Sequence, residues 1–551
     1  MNYIIRFKAL LSIVFTILFV TSILQYSTMN RINDRQNLGE TASMSTAMTE
    51  QIFINGSAIG AGAHNWTWVQ YQPWFRGGTG VWNDPFILEN LIFNYTNEDY
   101  MIEIINSDVF FEIQNCTFIE SSENYAFYLA DVNNSRIINN DIICNNPKYY
   151  NSVYNMYLVD CYNFTILENN ISDSNGIQIE DCNTGFIQNN SLYSGRYNHD
   201  GLLISNCDNI TISHNSFSTF DIGININSGK NITILNNTVS DCLFNGINLF
   251  ECNNVNIIEN YLNQNLDCYD TMILISDSNN ISITSNNISI NNDEIGIGCH
   301  YLRLEGDENA IFSTKIQGNV INGKPLISYI NTKNLSLYNF SKECEVFLIN
   351  CSYSSLSNLN TSKGGIGISL YYCNNITMHS ISSTENAGEG LYLVGCSNIT
   401  ILNSTFSFNK EYGINILYSY QIELINNEIN YNFGYGIILL NTDYCVIESN
   451  IIKGNYYYGV TIYNSRYNKF YFNIILDNYL GCVSPYGMDN NEFIGNVCDD
   501  KEKEFYSMDP TMVFVIFLVL FNGIFSLIVI MRYMNKNFEK ELKYIIEKAK
   551  R

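Results

Sequence analysis

A unit of about 23 residues recurs from Glu389 to Asn473, and a fixed period of that length constrains the fold before any local propensity does. Its marks are Gly390, Gly413, Gly436 and Gly459. Apolar residues follow one and three places after each glycine: Leu391 and Leu393, Ile414 and Ile416, Ile437 and Leu439, Val460 and Ile462. A second pair follows further on, as in Ile399 and Ile401 or Ile422 and Leu424. Next comes an asparagine (Asn427, Asn450, Asn473), then Ile429, Ile452 or Ile475 two residues later. Each unit therefore holds three short alternating runs separated by turns, and none has a helical period. This is the pattern of one coil of a right-handed parallel β-helix, an all-β solenoid. Leucine-rich repeats share a similar period and an asparagine ladder. Three β-like runs per unit, and Ile where those repeats require Leu, argue against them.

The register extends back to about residue 100, giving about 16 coils over 101–498. The asparagine position is held by Asn140, Asn169, Asn190, Asn215, Asn237, Asn260 and Asn286. Asparagine tolerates the left-handed backbone of a tight corner, and stacked amides can bond to the coil above or below. A second position collects Cys161, Cys182, Cys207, Gly229, Cys252, Ser278, Cys351, Cys373, Cys396, Ser419, Thr442 and Ser465. Because it accepts Ser, Thr and Gly as readily as Cys, it reads as a column of small buried groups. Disulfides between coils and soft-metal binding are the alternatives.

The ends carry a different signal. Arg6 and Lys8 precede an apolar run to Leu24, so 1–24 reads as a signal peptide or signal anchor, followed by a polar linker over 25–50. Residues 51–100 are expected to cap the solenoid and 499–511 to form a second linker. The uncharged stretch 512–531 is long enough to cross a bilayer, and 532–551 is a basic tail. The positive-inside rule then puts both termini in the cytoplasm, unless the N-terminal segment is cleaved, and the β-helix outside the cell. With 53 acidic against 28 basic side chains and a net charge of -25, the chain is a poor partner for nucleic acid. The sequons at Asn55, Asn65, Asn209, Asn231, Asn375 and Asn398 make the outside part a candidate glycoprotein.

Two blocks carry a family resemblance: Asn322-Gly323-Lys324-Pro325-Leu326 with Val346 to Cys351, and Gly78 to Ile87 with Glu89-Asn90-Leu91. They resemble β-helix repeat proteins of the NosD and pectin lyase-like type, of the archaeal cell-surface kind. The resemblance covers about residues 51 to 498. It implies the fold and a cell-surface setting; some members handle copper, but no His/Met cluster here supports that role.

Candidate chemistry lies in departures from the repeat. Asn198-His199-Asp200-Gly201 resembles the Asn-Thr-Asp-Gly element of polygalacturonases, whose hydrolysis needs paired carboxylates. Leu203 stands where a second acid would help, and Asp221 lies one coil on. Asp200 also fits a plain turn role. The irregular coil holds His300 and Arg303 among Asp293, Glu294, Glu305, Asp307 and Glu308, either a lyase-like base beside carboxylates or a solvated loop. Asp131, Asp160 and Asp181 share one register on successive coils, as exposed turn residues or as a calcium site. Tyr412, Tyr435 and Tyr458 share another, as a structural ladder or as a strip for stacking on sugar rings. The expectation is a membrane-anchored surface protein that recognises or adheres to a polysaccharide or surface glycan. A polysaccharide lyase or glycoside hydrolase is the alternative, and a copper-related surface factor the third.

Overall fold

The computed structural model describes residues 45–94, 99–120, 125–144, 154–172, 176–195, 199–264, 270–290, 300–339, 345–484 and 490–499. The segments expected to be a signal peptide or anchor (1–24), a transmembrane helix (512–531) and a basic tail (532–551) all lie outside these residues. Among the described residues no helix is long and apolar enough to cross a membrane. The chain divides into two compact units. One comprises Met1–Lys333, Phe340–Cys351 and Thr361–Tyr372; the other Asn334–Asn339, Ser352–Asn360 and Cys373–Arg551.

Each unit is built from rows of parallel strands stacked coil upon coil. In the first, one row runs through Met156–Val159, Ile177–Glu180, Leu202–Ser205, Ile222–Asn227, Asn245–Phe250, Thr271–Ser276 and His300–Glu305. Its inward residues stay in register: Ile179 faces Ile204, then Ile226, Leu249 and Ile275, all buried. Alternation along each strand explains this, since residues two apart share a face and β-branched side chains pack well there. At the N-terminal side, the short helix Trp66–Val69 is capped by Asn65 and sets the Trp66 ring on Phe86 at 5.1 Å. In the second unit the corresponding rows include Leu391–Val394, Ile414–Leu417, Ile437–Leu440 and Tyr458–Tyr463. The expected solenoid of about 16 right-handed turns is thus the fold.

The repeat glycine is required by close approach, not by backbone conformation. A Cβ on Gly436 would stand 2.5 Å from the carbonyl oxygen of Gly459 in the next coil, so no larger residue fits.

The asparagine ladder is continuous within each unit. In the first it climbs from Asn140 through Asn169, Asn190, Asn215, Asn237, Asn260 and Asn286 to Asn319. Each amide oxygen accepts from the residue below, and each amide nitrogen reaches a main-chain carbonyl, as Asn237 does with Ile212 at 2.9 Å. Buried polar groups are thereby satisfied where a bare turn would orphan them. In the second unit Asn427, Asn450, Asn473 and Asn496 repeat the device. A further ladder, Asn386 to Asn409, Asn432, Asn455 and Asn478, runs along another corner.

The cysteine column is a stack of thiols and hydroxyls. Cys161 donates its main-chain N–H to the Cys182 sulfur at 3.2 Å, and Cys182 does the same to Cys207. Further along, Cys252 donates to the Ser278 hydroxyl and Cys396 to that of Ser419. Cys161, Cys182, Cys207 and Cys252 are buried and none is in a disulfide. Burial pushes the Cys252 thiol up to about 11, which makes it a small hydrophobic filler and not a nucleophile.

Candidate functional site

In the second unit four successive coils each turn through four left-handed corners. From one coil to the next they are Gly395, Asn398, Asn403 and Phe408; Tyr418, Gln421, Asn426 and Tyr431; Asn441, Tyr444, Ser449 and Gly454; Asn464, Tyr467, Phe472 and Asp477. Asn and Gly suit such corners, whereas a bulky ring there is unfavourable by about 1–2 kcal/mol. Tyr444, at φ 59, is nevertheless 57% exposed, and Tyr418 at φ 51 is 63% exposed. Such rings are held outward at a cost in backbone energy, which is expected where function requires them.

One of these corners bounds a shallow groove of about 440 Å³ on the outer face of the strands Asn374–His379, Ser397–Leu402, Tyr420–Ile425 and Val446–Glu448. Strand alternation sends Ile399, Ile401, Ile422 and Leu424 into the core and turns their neighbours outward. The groove is lined by Asn375, Asn398 and Gln421 along one row, Thr377, Thr400 and Glu423 along the next, with Tyr444 and Val446 at its end. Thr400 donates to the Glu423 carboxylate at 3.1 Å. Tyr444 stacks on Tyr467 at 5.0 Å with 18° between the rings. Amides, hydroxyls and a carboxylate beside a flat ring can bond hydroxyl groups while the ring covers an apolar C–H face. No single residue signals this groove. What could have shown it is the common spacing of Asn375, Asn398, Gln421, Tyr444 and Tyr467, which puts amide and phenol side chains in one corner row.

The tyrosines singled out by register behave differently. Tyr412 contacts Tyr435 at 5.6 Å, and Tyr435 contacts Tyr457, not Tyr458, at 5.0 Å. Tyr458 instead begins a strand and pairs with Gly481. Tyr412, Tyr435 and Tyr458 are all only partly exposed, and burial raises the Tyr412 phenol above its ordinary value.

In the first unit the structure brings Asp200 and Asp221 into one electrostatic group. Asp200 accepts from the Asn225 amide at 2.7 Å and bonds the Tyr154 hydroxyl. The Tyr154 ring meets His199 edge-on at 6.0 Å, and Asp221 donates its N–H to the His199 carbonyl. Burial, with a further push from Asp221, raises the Asp200 carboxyl to about 6, while its bonds to Asn225 and Tyr154 act the other way. Asp221 is also raised by burial, and His199 moderates that. Asp221, on the next coil, is thus a second carboxylate that acts electrostatically on Asp200, a role Leu203 cannot fill. A carboxyl titrating near 6 beside a second carboxylate is equipped for proton transfer.

His300 and Arg303 do not join that group. His300 is buried and acts on Glu345, which burial raises to about 8 and which accepts from the Ile366 N–H at 2.6 Å. Arg303 pairs with Glu305 at 3.0 Å on the partly exposed side of the same strand. Asp293 and Glu294 lie outside the described residues. Asp131, Asp160 and Asp181 occupy exposed left-handed corners at φ 54, 53 and 51. Several sequon amides are engaged: Asn65 caps a helix and donates to the Ala58 carbonyl at 2.8 Å, Asn209 donates to the Asn183 side chain at 3.3 Å and Asn231 to the Asp208 carboxylate at 2.7 Å.

The model of the family described as "Right handed beta helix region" matches residues 155–341 and 344–498. Among solved structures, the A-module of Azotobacter vinelandii mannuronan C-5 epimerase AlgE6 is 11% identical, with 72% of this chain and 90% of that one covered and a TM-score of 0.27. The periplasmic alginate epimerase AlgG is 10% identical over 81% and 83%, with a TM-score of 0.22. PfbA, a surface adhesin of Streptococcus pneumoniae, is 13% identical over 75% and 82%, with a TM-score of 0.21. These likenesses are too distant to bear on function. No protein of curated function matches the sequence.

Proposed function

We infer that this chain, which belongs to the right-handed β-helix family, is a cell-surface carbohydrate-recognition protein, tethered to the membrane by 512–531 with its solenoid outside. The observation that carries the reading is the groove ending at Tyr444. It combines an exposed ring on a left-handed corner with rows of amides and hydroxyls and the carboxylate of Glu423. Its ligand is a neutral glycan, because a chain of net charge -25 repels polyanions and Glu423 accepts from sugar hydroxyls. The test is a titration of the full-length chain, in detergent, against neutral and acidic oligosaccharides. Saturable binding of a neutral glycan, weakened about tenfold by Glu423→Ala, is expected. Binding that ignores Glu423→Ala and Tyr444→Asn sinks the assignment.

A second reading rests on the Asp200 group. With Asp200 protonated below about pH 6 and Asp221 beside it, the first unit could act as an acid–base catalyst on a polysaccharide. Release of reducing ends or unsaturated products, falling by a factor of about 10²–10⁴ in Asp200→Asn, would establish it. Unchanged turnover in that variant removes Asp200 from the chemistry.

A further inference from the structure

Two cysteines stand apart from the buried column. Cys482 lies in the strand Gly481–Val483 and is only partly buried, while Cys498 ends the strand Val497–Cys498 and is exposed. They sit on different faces of the last described coils of the second unit, and the fold brings them to one corner. Cys498 pairs with Ile475 in the parallel ladder, and the Cys482 thiol donates to that same Ile475 carbonyl at 3.1 Å. The Cys482 sulfur also lies 3.9 Å from the carbonyl of Asp499, the residue after Cys498, and 3.7 Å from its carboxylate. The two thiols are hydrogen-bonded to each other.

Location gives the contact a role. The strand Val497–Cys498 pairs with Ile474–Leu476 on one side, and both its residues are exposed. A two-residue strand with little burial, whose pairing among the described residues is with Ile474–Leu476, opens more easily than the buried strands of the core. Asn473 anchors this coil through Asn496, two residues before Cys498. A covalent link from Cys498 to Cys482 would pin the strand on the far side of that anchor.

We propose that Cys482 and Cys498 form a disulfide that staples the last described coil of the solenoid, while the buried cysteines of the column stay reduced. The chemistry closes with a low-molecular-weight disulfide as oxidant. The exposed Cys498 thiolate attacks one sulfur of oxidised glutathione and expels one glutathione thiolate. Cys482, after losing its proton to solvent, attacks the Cys498 sulfur and expels the second. Two protein thiols are oxidised and one glutathione disulfide is reduced to two thiols. Partial burial, then the Cys498 thiol and Asp499, hold the Cys482 thiol above its ordinary value, so closure is the slower step and quickens as pH rises.

The test uses the full-length chain, equilibrated with oxidised glutathione, then denatured, alkylated and digested with trypsin. Lys469 and Lys501 bound one peptide that holds both cysteines and no other, so the staple reads there as the loss of two hydrogens and the absence of alkylation. Peptides carrying Cys161, Cys182, Cys207 and Cys252 should be alkylated. Reduction of the oxidised chain should lower the unfolding temperature of the second unit by a few degrees, with no such shift in Cys498→Ser. Full alkylation of Cys482 and Cys498, glutathione retained on either one, or a link from either to another cysteine overturns the proposal. Because the readout is a mass on the unmodified sequence, it does not depend on a variant that folds.

Discussion

Ladder partners in the second unit are 23 residues apart at every step, from Asn386 to Asn478 and again from Asn427 to Asn496. In the first unit the steps from Asn140 to Asn319 range from 21 to 33 residues. The corners differ as well. Left-handed corners of the first unit carry Asn, Asp and other polar side chains, with Tyr372 the one aromatic among the described residues. Those of the second include Tyr353, Phe408, Tyr418, Tyr431, Tyr444, Tyr467 and Phe472. A solenoid can therefore acquire chemistry in two ways. Extra residues between strands let the first unit place Tyr154, His199, Asp200 and Asp221 around one corner. Uniform coils let the second repeat a ring or an amide at strand spacing and so build a surface.

The largest effect expected from testing this contrast is on the ladder itself. Asn450→Ala removes the acceptor for the Asn427 N–H and the donor to the Leu424 carbonyl, both buried. Asn237→Ala does the same to the Asn215 N–H and the Ile212 carbonyl. Each should lower stability by about 3 kcal/mol or more, since each leaves several buried groups unsatisfied. Denaturant midpoints of the two variants should shift alike. If the irregular first unit tolerates the loss and the second does not, the even spacing itself is a source of stability.

Next in size is an effect confined to the first unit. Glu345 has its carboxyl pushed up to about 8, above the usual 4.5, chiefly by burial. A raised pKa means the folded chain keeps a proton that the unfolded chain releases. The resulting stabilisation is whole below about pH 4.5, declines as pH rises and is gone by about 8, with a slope of at most about 1.4 kcal/mol per pH unit. Glu345→Gln should flatten that slope in melts taken from pH 4 to 8. A slope that survives the substitution assigns the proton to another group, Asp200 being the first to try.

The period, the inward Ile and Leu positions, the first asparagine ladder and the thiol column could all be read from the sequence, because each is a one-dimensional repeat of residue type. The ladder from Asn386 to Asn478 has the same spacing, yet its asparagines stand among Asn-rich corners where no composition contrast marks them. The Asp200 group was half legible: the two acids and the His could be named, but Tyr154 lies on a coil whose length breaks the register. Glu345 could not be anticipated, since its environment is set by Ile366 and His300 on other coils. For the same reason the common register points to Tyr458 as the third ring of a stack that Tyr457 in fact completes.

The smallest expected effect is the most specific to the second unit. Tyr444→Asn exchanges a ring for the residue type that its left-handed corner favours, a gain of about 1 kcal/mol. It also gives up stacking on Tyr467, a loss of about 0.5–1.5 kcal/mol. The two nearly cancel, so the unfolding temperature should move by no more than a degree or two while affinity for a neutral glycan falls about tenfold, or roughly 1.4 kcal/mol. Stability and binding are thus separable at this residue, which they are not at the ladder asparagines. A clear rise in stability with unchanged binding would mean that the ring is strained for no recognition purpose. The aromatic corners would then distinguish the two units in composition only.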